Sequence, residues 1–185
     1  NLLLANGIQP WVTLYHWDLP AALNDKTETG GWLNPDIVNK FNDYADFCFK
    51  TFGDRVKHWI TLNEIQEFTW GGYGGGGQAP GRCSPSYQAF CKEVGGGGNS
   101  STEPYITAHH ALLSHGIAVQ TYRTKYQATQ GGQIGITIDS SYAEPFDPNN
   151  PGFERDNTAD AFSLPFEGGT PEPVTPNTEG DFEFF

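Results

Sequence analysis

The chain has 185 residues and a formal net charge of -12, with 22 Asp and Glu against 10 Lys and Arg. That length can bury a real core, but no basic patch offsets the acidity, which excludes a nucleic-acid partner. No apolar run reaches the roughly 18 residues of a membrane-spanning helix, so no membrane partner is expected.

The opening Asn1-Leu2-Leu3-Leu4-Ala5-Asn6-Gly7 reads as the end of a helix with glycine at its C-terminus rather than as a signal peptide. An internal piece of a longer protein is therefore expected. Pro10 to His16 predicts a buried strand, because Trp11, Val12, Thr13, Leu14 and Tyr15 are strong strand formers. Asn34-Pro35 then supplies an N-cap and a first-turn proline. Ile37, Phe41, Tyr44, Cys48 and Phe52 follow at spacings of three and four, which predicts an amphipathic helix that Gly53 stops. Val56 to Asn63 is the next predicted strand. Two strands separated by a helix form a βαβ unit, so the strands are expected to be parallel.

Residues 65 to 101 read as a long irregular connection containing two glycine runs, Gly74 to Gly77 and Gly95 to Gly98. Long ordered loops often carry function. Ser100 and Glu103 have the spacing of a capping box that opens a helix to about Gln127, with Tyr105, His109, Leu112, Val119, Tyr122 and Tyr126 as its apolar face. Gln133 to Ser140 predicts a third strand. After Ser141 the pattern dissolves. From Glu144 to Phe185 there are ten acids against one base, and seven of the chain's 13 prolines lie from Pro145 onward. An irregular segment is expected there.

Two strand ends carry side chains suited to chemistry: Tyr15-His16-Trp17-Asp18-Leu19-Pro20 and Ile60-Thr61-Leu62-Asn63-Glu64. Glycoside hydrolysis uses two carboxyl groups across the scissile bond, and one of them must be able to deliver a proton. Glu64, at a strand end, is the candidate proton donor. Asn63 beside it can hydrogen-bond a sugar hydroxyl; the alternative is an Asn-Glu pair that caps the next segment. His16 offers an imidazole to hydroxyls, and Trp17 an indole face and one N–H donor. Packing is the competing reading for both. Asp18 reads as a loop cap, and Glu67 as a loop acid too close in sequence to Glu64 to oppose it.

Cys83 and Cys91 lie near each other in a loop rich in Gly, Ser and Pro. They are either a disulfide of an oxidising compartment or two free thiols. Cys48 falls on a helix face as a buried thiol. Asn99-Ser100-Ser101 is an N-glycosylation sequon. Gly72 to Gly77 satisfies a GxGxxG pattern but lacks the following helix and a ribose-binding acid, so dinucleotide binding is rejected. His109, His110 and His115 share one helix without metal-ligand spacing, and no metal is expected.

Taken together, Tyr15-His16-Trp17-Asp18-Leu19-Pro20, Gly31-Trp32-Leu33, Phe52 to Glu64, Ala79-Pro80-Gly81-Arg82-Cys83-Ser84, Asn99 to Ile106 and Gly135 to Ser141 closely resemble plant members of glycoside hydrolase family one. The resemblance covers about residues 1 to 147. It implies an α/β fold, a (β/α)8 barrel of which this chain supplies the third to fifth β/α units, with 148–185 as an irregular acidic segment of the same domain. It implies that Glu64 is the acid/base, that Asn63 holds the sugar 2-hydroxyl, that His16 and Trp17 bind the glucose ring, and that Cys83 and Cys91 form the family's loop disulfide in plants. The expected function is a retaining β-glucosidase acting on plant glucosides. The family's Glu-Asn-Gly nucleophile motif does not occur in this sequence, which keeps a non-catalytic sugar-binding remnant as an alternative.

Where the family usually has a proline after the acid/base this chain has Ile65, and a non-proline there resembles the myrosinase branch of thioglucosidases, where Gln replaces the acid. That branch acts on glucosinolates with ascorbate as the base; Glu64 favours O-glucosides, which need no cofactor. The expected partner is a small-molecule glucoside or glucosinolate, with a homodimer as a possible assembly. The expected location is on the secretory route: vacuole, ER-derived body or extracellular.

Overall fold

The computed structural model describes residues 1–24, 30–86, 91 and 97–139. The calls on 148–185, and the end of the third strand at Ser140, lie outside the described residues.

A short helix α1 (Leu2–Ala5) leads into strand β1 (Trp11–Tyr15). A 3-10 turn (Gly31–Leu33) precedes helix α2 (Ile37–Phe52), which returns the chain to strand β2 (His58–Asn63). Helix α3 (Ile65–Tyr73), helix α4 (Glu103–Lys125) and a single helical turn α5 (Gln127–Gln130) then lead to strand β3 (Gln133–Thr137). The three strands form one parallel sheet in the order β1-β2-β3, as the alternation of strand and helix predicts.

The core lies between this sheet and helices α2 and α4. Trp59 of β2 meets Phe49 of α2 edge-on, and Phe49 in turn meets Tyr122 of α4. A second aromatic group supports the end of β1: Tyr15, Trp32 and Phe68 meet at centroid distances of 5.1–5.3 Å. Here the Trp32 indole donates to the Tyr15 hydroxyl at 3.0 Å, and the Trp32 backbone N–H donates to the Tyr73 hydroxyl. Burial pushes both phenols up, Tyr73 to about 12, so they remain neutral hydrogen-bonding groups.

Several expectations need correction. The connection after Glu64 is not irregular throughout: α3 occupies Ile65–Tyr73 and buries Phe68, Thr69, Gly72 and Tyr73. In α2 the buried stripe is Ile37, Phe41, Ala45, Cys48 and Phe49, while Tyr44 and Phe52 are 48% and 40% exposed. Ala45 and Phe49 lie four apart on the face that meets the sheet, so the stripe sits one step round from the expected one. Gly53 does follow the helix but is not left-handed; a Cβ there would run into the Gln130 side chain, which donates to the Phe49 carbonyl.

The face of α4 is further from expectation. Thr107, Ala111, Ser114, Ala118, Thr121 and Tyr122 are buried, whereas Tyr105 and Leu112 are 75% and 54% exposed. Small side chains let α4 approach α2 and the sheet closely, and its two buried threonines find acceptors, while the Ser114 and Tyr122 hydroxyls are buried without a hydrogen-bond partner among the described residues. Thr107 donates to Glu103 and Pro104 carbonyls, and Thr121 donates to Asn42 of α2.

The capping box does not form. Ser100 and Glu103 are both used elsewhere, in a clasp at the N-terminus of α4. Arg82 and Glu103 form a buried bidentate pair at 2.7 and 2.9 Å, with Arg82 also donating to the Gly97 carbonyl. The Ser100 hydroxyl accepts from the Ser84 backbone N–H, the Ser84 hydroxyl accepts from that of Ser100, and Ser100 donates to the Gly74 carbonyl. Cys83 is bonded to Cys91 beside them.

Candidate active site

The ends of β1 and β2 lie side by side because the two strands are in parallel register through Tyr15 and Leu62. On the other edge, β2 carries a bulge. Ile60 pairs with Gly135 and Asn63 with Thr137, so the β2 segment is one residue longer than its partner. Bulges of this kind re-aim side chains and are common next to active sites.

Immediately after the bulge, Glu64 adopts φ 46° and ψ 71°, in the left-handed region. Trp17, just past the end of β1, has φ 72°. They are the two non-glycine residues with positive φ among the described residues. Such a conformation is unfavourable for a residue with a Cβ, and it persists where the surroundings over-determine it, as they do at ligand sites.

Three of the four expected sugar-site residues are joined by hydrogen-bonding contacts. The Trp17 indole Nε1 donates to the Asn63 carbonyl at 2.9 Å. Asn63 Nδ2 lies 3.4 Å from His16 Nε2, and the His16 ring meets that of Trp17 edge-on at 5.1 Å. Glu64 follows Asn63 directly, and its backbone N–H donates to the Thr137 carbonyl of β3 at 3.0 Å. His16 is exposed, and Asn63 and Glu64 are half-buried, so all three can meet a solute. Asp18 accepts from the His16 backbone N–H at 3.2 Å, as a loop cap would.

The remaining residues singled out in the sequence lie elsewhere. His110 contacts the Trp32 carbonyl and His115 the Thr61 hydroxyl, each through Nδ1 at 2.8 Å. Thr61 has one proton and donates it to the Gly135 carbonyl, so the His115 Nδ1 is the donor in that pair. Asn99 is exposed; its Oδ1 accepts from both the backbone N–H and the hydroxyl of Ser101. An apolar cavity of about 260 Å³, lined by Leu14, Tyr15, Leu19, Trp32, Phe41 and Tyr44 among others, lies beside the strand ends. It contains none of His16, Asn63 and Glu64.

The strand-end cluster can hold a polyhydroxylated ligand and present a carboxyl to it. The residues that reasoning from sequence missed are those that build the setting: the bulge in β2, the Thr137 carbonyl and the Arg82–Glu103 pair. No local pattern marks them, since each depends on a partner far along the chain.

Known proteins share sequence and fold with most of this chain. Residues 1–168 match the Glycosyl hydrolase family 1 profile. Beta-glucosidase 6 of Oryza sativa subsp. japonica is 54% identical over 164 residues, covering 89% of this chain and 30% of that protein. A cyanogenic beta-glucosidase of Trifolium repens is 54% identical over 145 residues, covering 78% of this chain and 33% of its own length. The crystal structure of a rice beta-glucosidase superposes with a TM-score of 0.72 at 57% identity, covering 79% of this chain and 29% of that one. The chain thus spans about a third of the length of the relatives it matches. The parallel β/α units described above are those of a (β/α)8 barrel, and the chain belongs to glycosyl hydrolase family 1.

Proposed function

We propose that this chain is part of a retaining β-glucosidase in which Glu64 is the acid/base. The observation that carries the reading is Glu64 itself: a carboxyl-bearing residue at the end of a barrel strand, in left-handed backbone, directly after Asn63, whose amide lies 3.4 Å from the His16 ring. Glu64 donates a proton to the glycosidic oxygen as a second carboxylate attacks the anomeric carbon, and the C–O bond to the leaving group breaks. It then removes a proton from the water that attacks the glycosyl-enzyme. That second carboxylate is the residue of the Glu-Asn-Gly motif, which this sequence does not contain. Asn63 and His16 donate to or accept from the sugar hydroxyls, and the reaction needs no cofactor. Two solved structures support the chemistry by likeness: a Glu→Gln variant of the rice beta-glucosidase in a covalent complex with glucose, at 56% identity, and a Humicola insolens beta-glucosidase with glucose, at 41%.

Among substrates, O-glucosides are favoured over glucosinolates. Residue 64 is Glu, and the myrosinase structure that resembles this chain, an aphid enzyme, is 34% identical, below the plant beta-glucosidases. The test is Glu64→Gln in the complete protein. The expected loss in kcat/KM on an alkyl glucoside is about 10²- to 10⁴-fold. An activated aryl glucoside should still form the covalent intermediate, detected by intact mass. Equal loss on both substrates would count against the assignment.

A secretory route is supported by Cys83, Cys91 and Asn99. The Cys83–Cys91 bond suits an oxidising compartment, and the exposed Asn99 presents its sequon to solvent. The protein from its native tissue should lose mass on treatment with peptide-N-glycosidase, and the Asn99→Gln variant should not lose it at this site. An unmodified Asn99 peptide would refute the modification.

A further inference from the structure

We propose that Trp17 is a positioning residue for the acid/base. Its indole N–H fixes the peptide between Asn63 and Glu64, and so fixes where the Glu64 carboxyl points. The inference rests on the reading of Glu64 given above.

The argument starts from the end of the ladder. The last β1–β2 pair is Tyr15 with Leu62, and beyond it β1 turns away through Trp17. The Asn63 carbonyl therefore has no backbone donor from β1 waiting for it. The Trp17 indole supplies one at 2.9 Å, across 46 residues of sequence. The other polar atom of the same peptide, the Glu64 N–H, donates to the Thr137 carbonyl of β3 at 3.0 Å. One peptide plane is thus held from both neighbouring strands, by a side chain on one side and by backbone on the other. A peptide held at both atoms cannot flip, and the rotation that follows it, φ of Glu64, is the strained 46°.

The geometry on the Trp17 side points the same way. Its own left-handed backbone accompanies an indole that crosses to β2, and the partly buried N–H is engaged there. That N–H is therefore taken by protein rather than by a sugar hydroxyl. The indole face remains available to the glucose ring, while the donor holds the peptide of Glu64.

Loss of this hydrogen bond frees the carbonyl to turn and lets Glu64 relax out of the left-handed region, which displaces its carboxyl. In kcat/KM, which covers the steps up to the glycosyl-enzyme and not its hydrolysis, such a displacement matters when a proton must be delivered to the leaving group. The test is Trp17→Phe in the complete protein, with kcat/KM measured on glucosides of graded leaving-group ability. A second variant replaces Trp17 with benzothienylalanine, which keeps the ring shape and exchanges the N–H for sulfur. Both should lose roughly 10- to 100-fold on an alkyl glucoside, the scale of a misplaced catalytic group. On a dinitrophenyl glucoside, whose departure needs no proton, both should lose at least about 5-fold less than on the alkyl glucoside, whatever the indole face contributes to sugar binding in common to the series. Uniform loss across the series, or no loss in the benzothienylalanine protein, overturns the proposal.

Glu64→Gln is assayed on the same series. Strong leaving-group dependence there, without it in the Trp17 variants, defeats the positioning role alone. Its absence in Glu64→Gln defeats the acid/base reading and the inference together.

Discussion

The tips of β1 and β2 and the clasp at the start of α4 hold their side chains by opposite means. At the strand tips, Trp17 and Glu64 sit in backbone conformations that cost energy, and the polar side chains of His16, Asn63 and Glu64 remain at least partly accessible. At the clasp, Arg82, Glu103 and Ser100 are buried, with hydrogen bonds to named partners, and the disulfide lies beside them. The tips keep polar groups accessible at the expense of stability, as the proposed function requires. The clasp satisfies its polar groups internally and ties the loop after α3 to the helix that packs against the core. Strain together with accessibility is what the proposed site shows; satisfaction together with burial is what a supporting element shows.

The largest effect on stability is expected at the clasp. Glu103→Ala leaves the buried Arg82 guanidinium without its carboxylate, and should cost about 3–5 kcal/mol in urea denaturation of the complete protein. Replacing both residues by apolar ones of similar volume, Arg82→Met with Glu103→Leu, should recover most of that loss, because no charge is then left buried. A loss below about 1 kcal/mol for Glu103→Ala, the level of a surface pair, would place the clasp in the same class as Lys40–Asp36 on α2.

The same contrast explains what could be read in the sequence. β1 was legible because Trp11 to Tyr15 is an unbroken run of strand formers, and α2 because its apolar residues recur at helical spacing. The seam of α4 was not, because it is built from Thr107, Ala111, Ser114 and Ala118, which carry no hydrophobic signal and pack by being small. Helix α3 was hidden by Gly71 and Gly72, poor helix formers whose absent side chains make room for Gln78 and for the Ala79 backbone. At the candidate site, the identity of Glu64, Asn63, His16 and Trp17 could be read from two strand ends. Their arrangement could not, since the bulge, the indole contact and the Thr137 bond each join residues 46 or more apart or depend on sheet register. Ser100 and Glu103 show the converse error. Local spacing suggested a cap, and long-range partners outcompeted it.

The smallest effects come from exchanging residues at two left-handed positions. Gly76 has φ +71°, and a Cβ there would press on Cys83 Sγ. Gly76→Ala should therefore destabilise by at least about 1–2 kcal/mol, from the backbone alone. Its neighbour Gly77 meets nothing within 4 Å and has no such conformation, so Gly77→Ala should be neutral or slightly stabilising, by about 0.4–1 kcal/mol. Glu64→Gly is the mirror experiment. It relieves the unfavourable φ of the folded state but gives the unfolded chain more freedom, and the two terms nearly cancel, so stability should move by less than about 1 kcal/mol. Hydrolysis of poor leaving groups should nevertheless collapse, because the carboxyl is gone. If Glu64→Gly proved as destabilising as Gly76→Ala, the side chain of Glu64 would be contributing to the fold, and the division between a strained site and a satisfied support would fail at its most important residue.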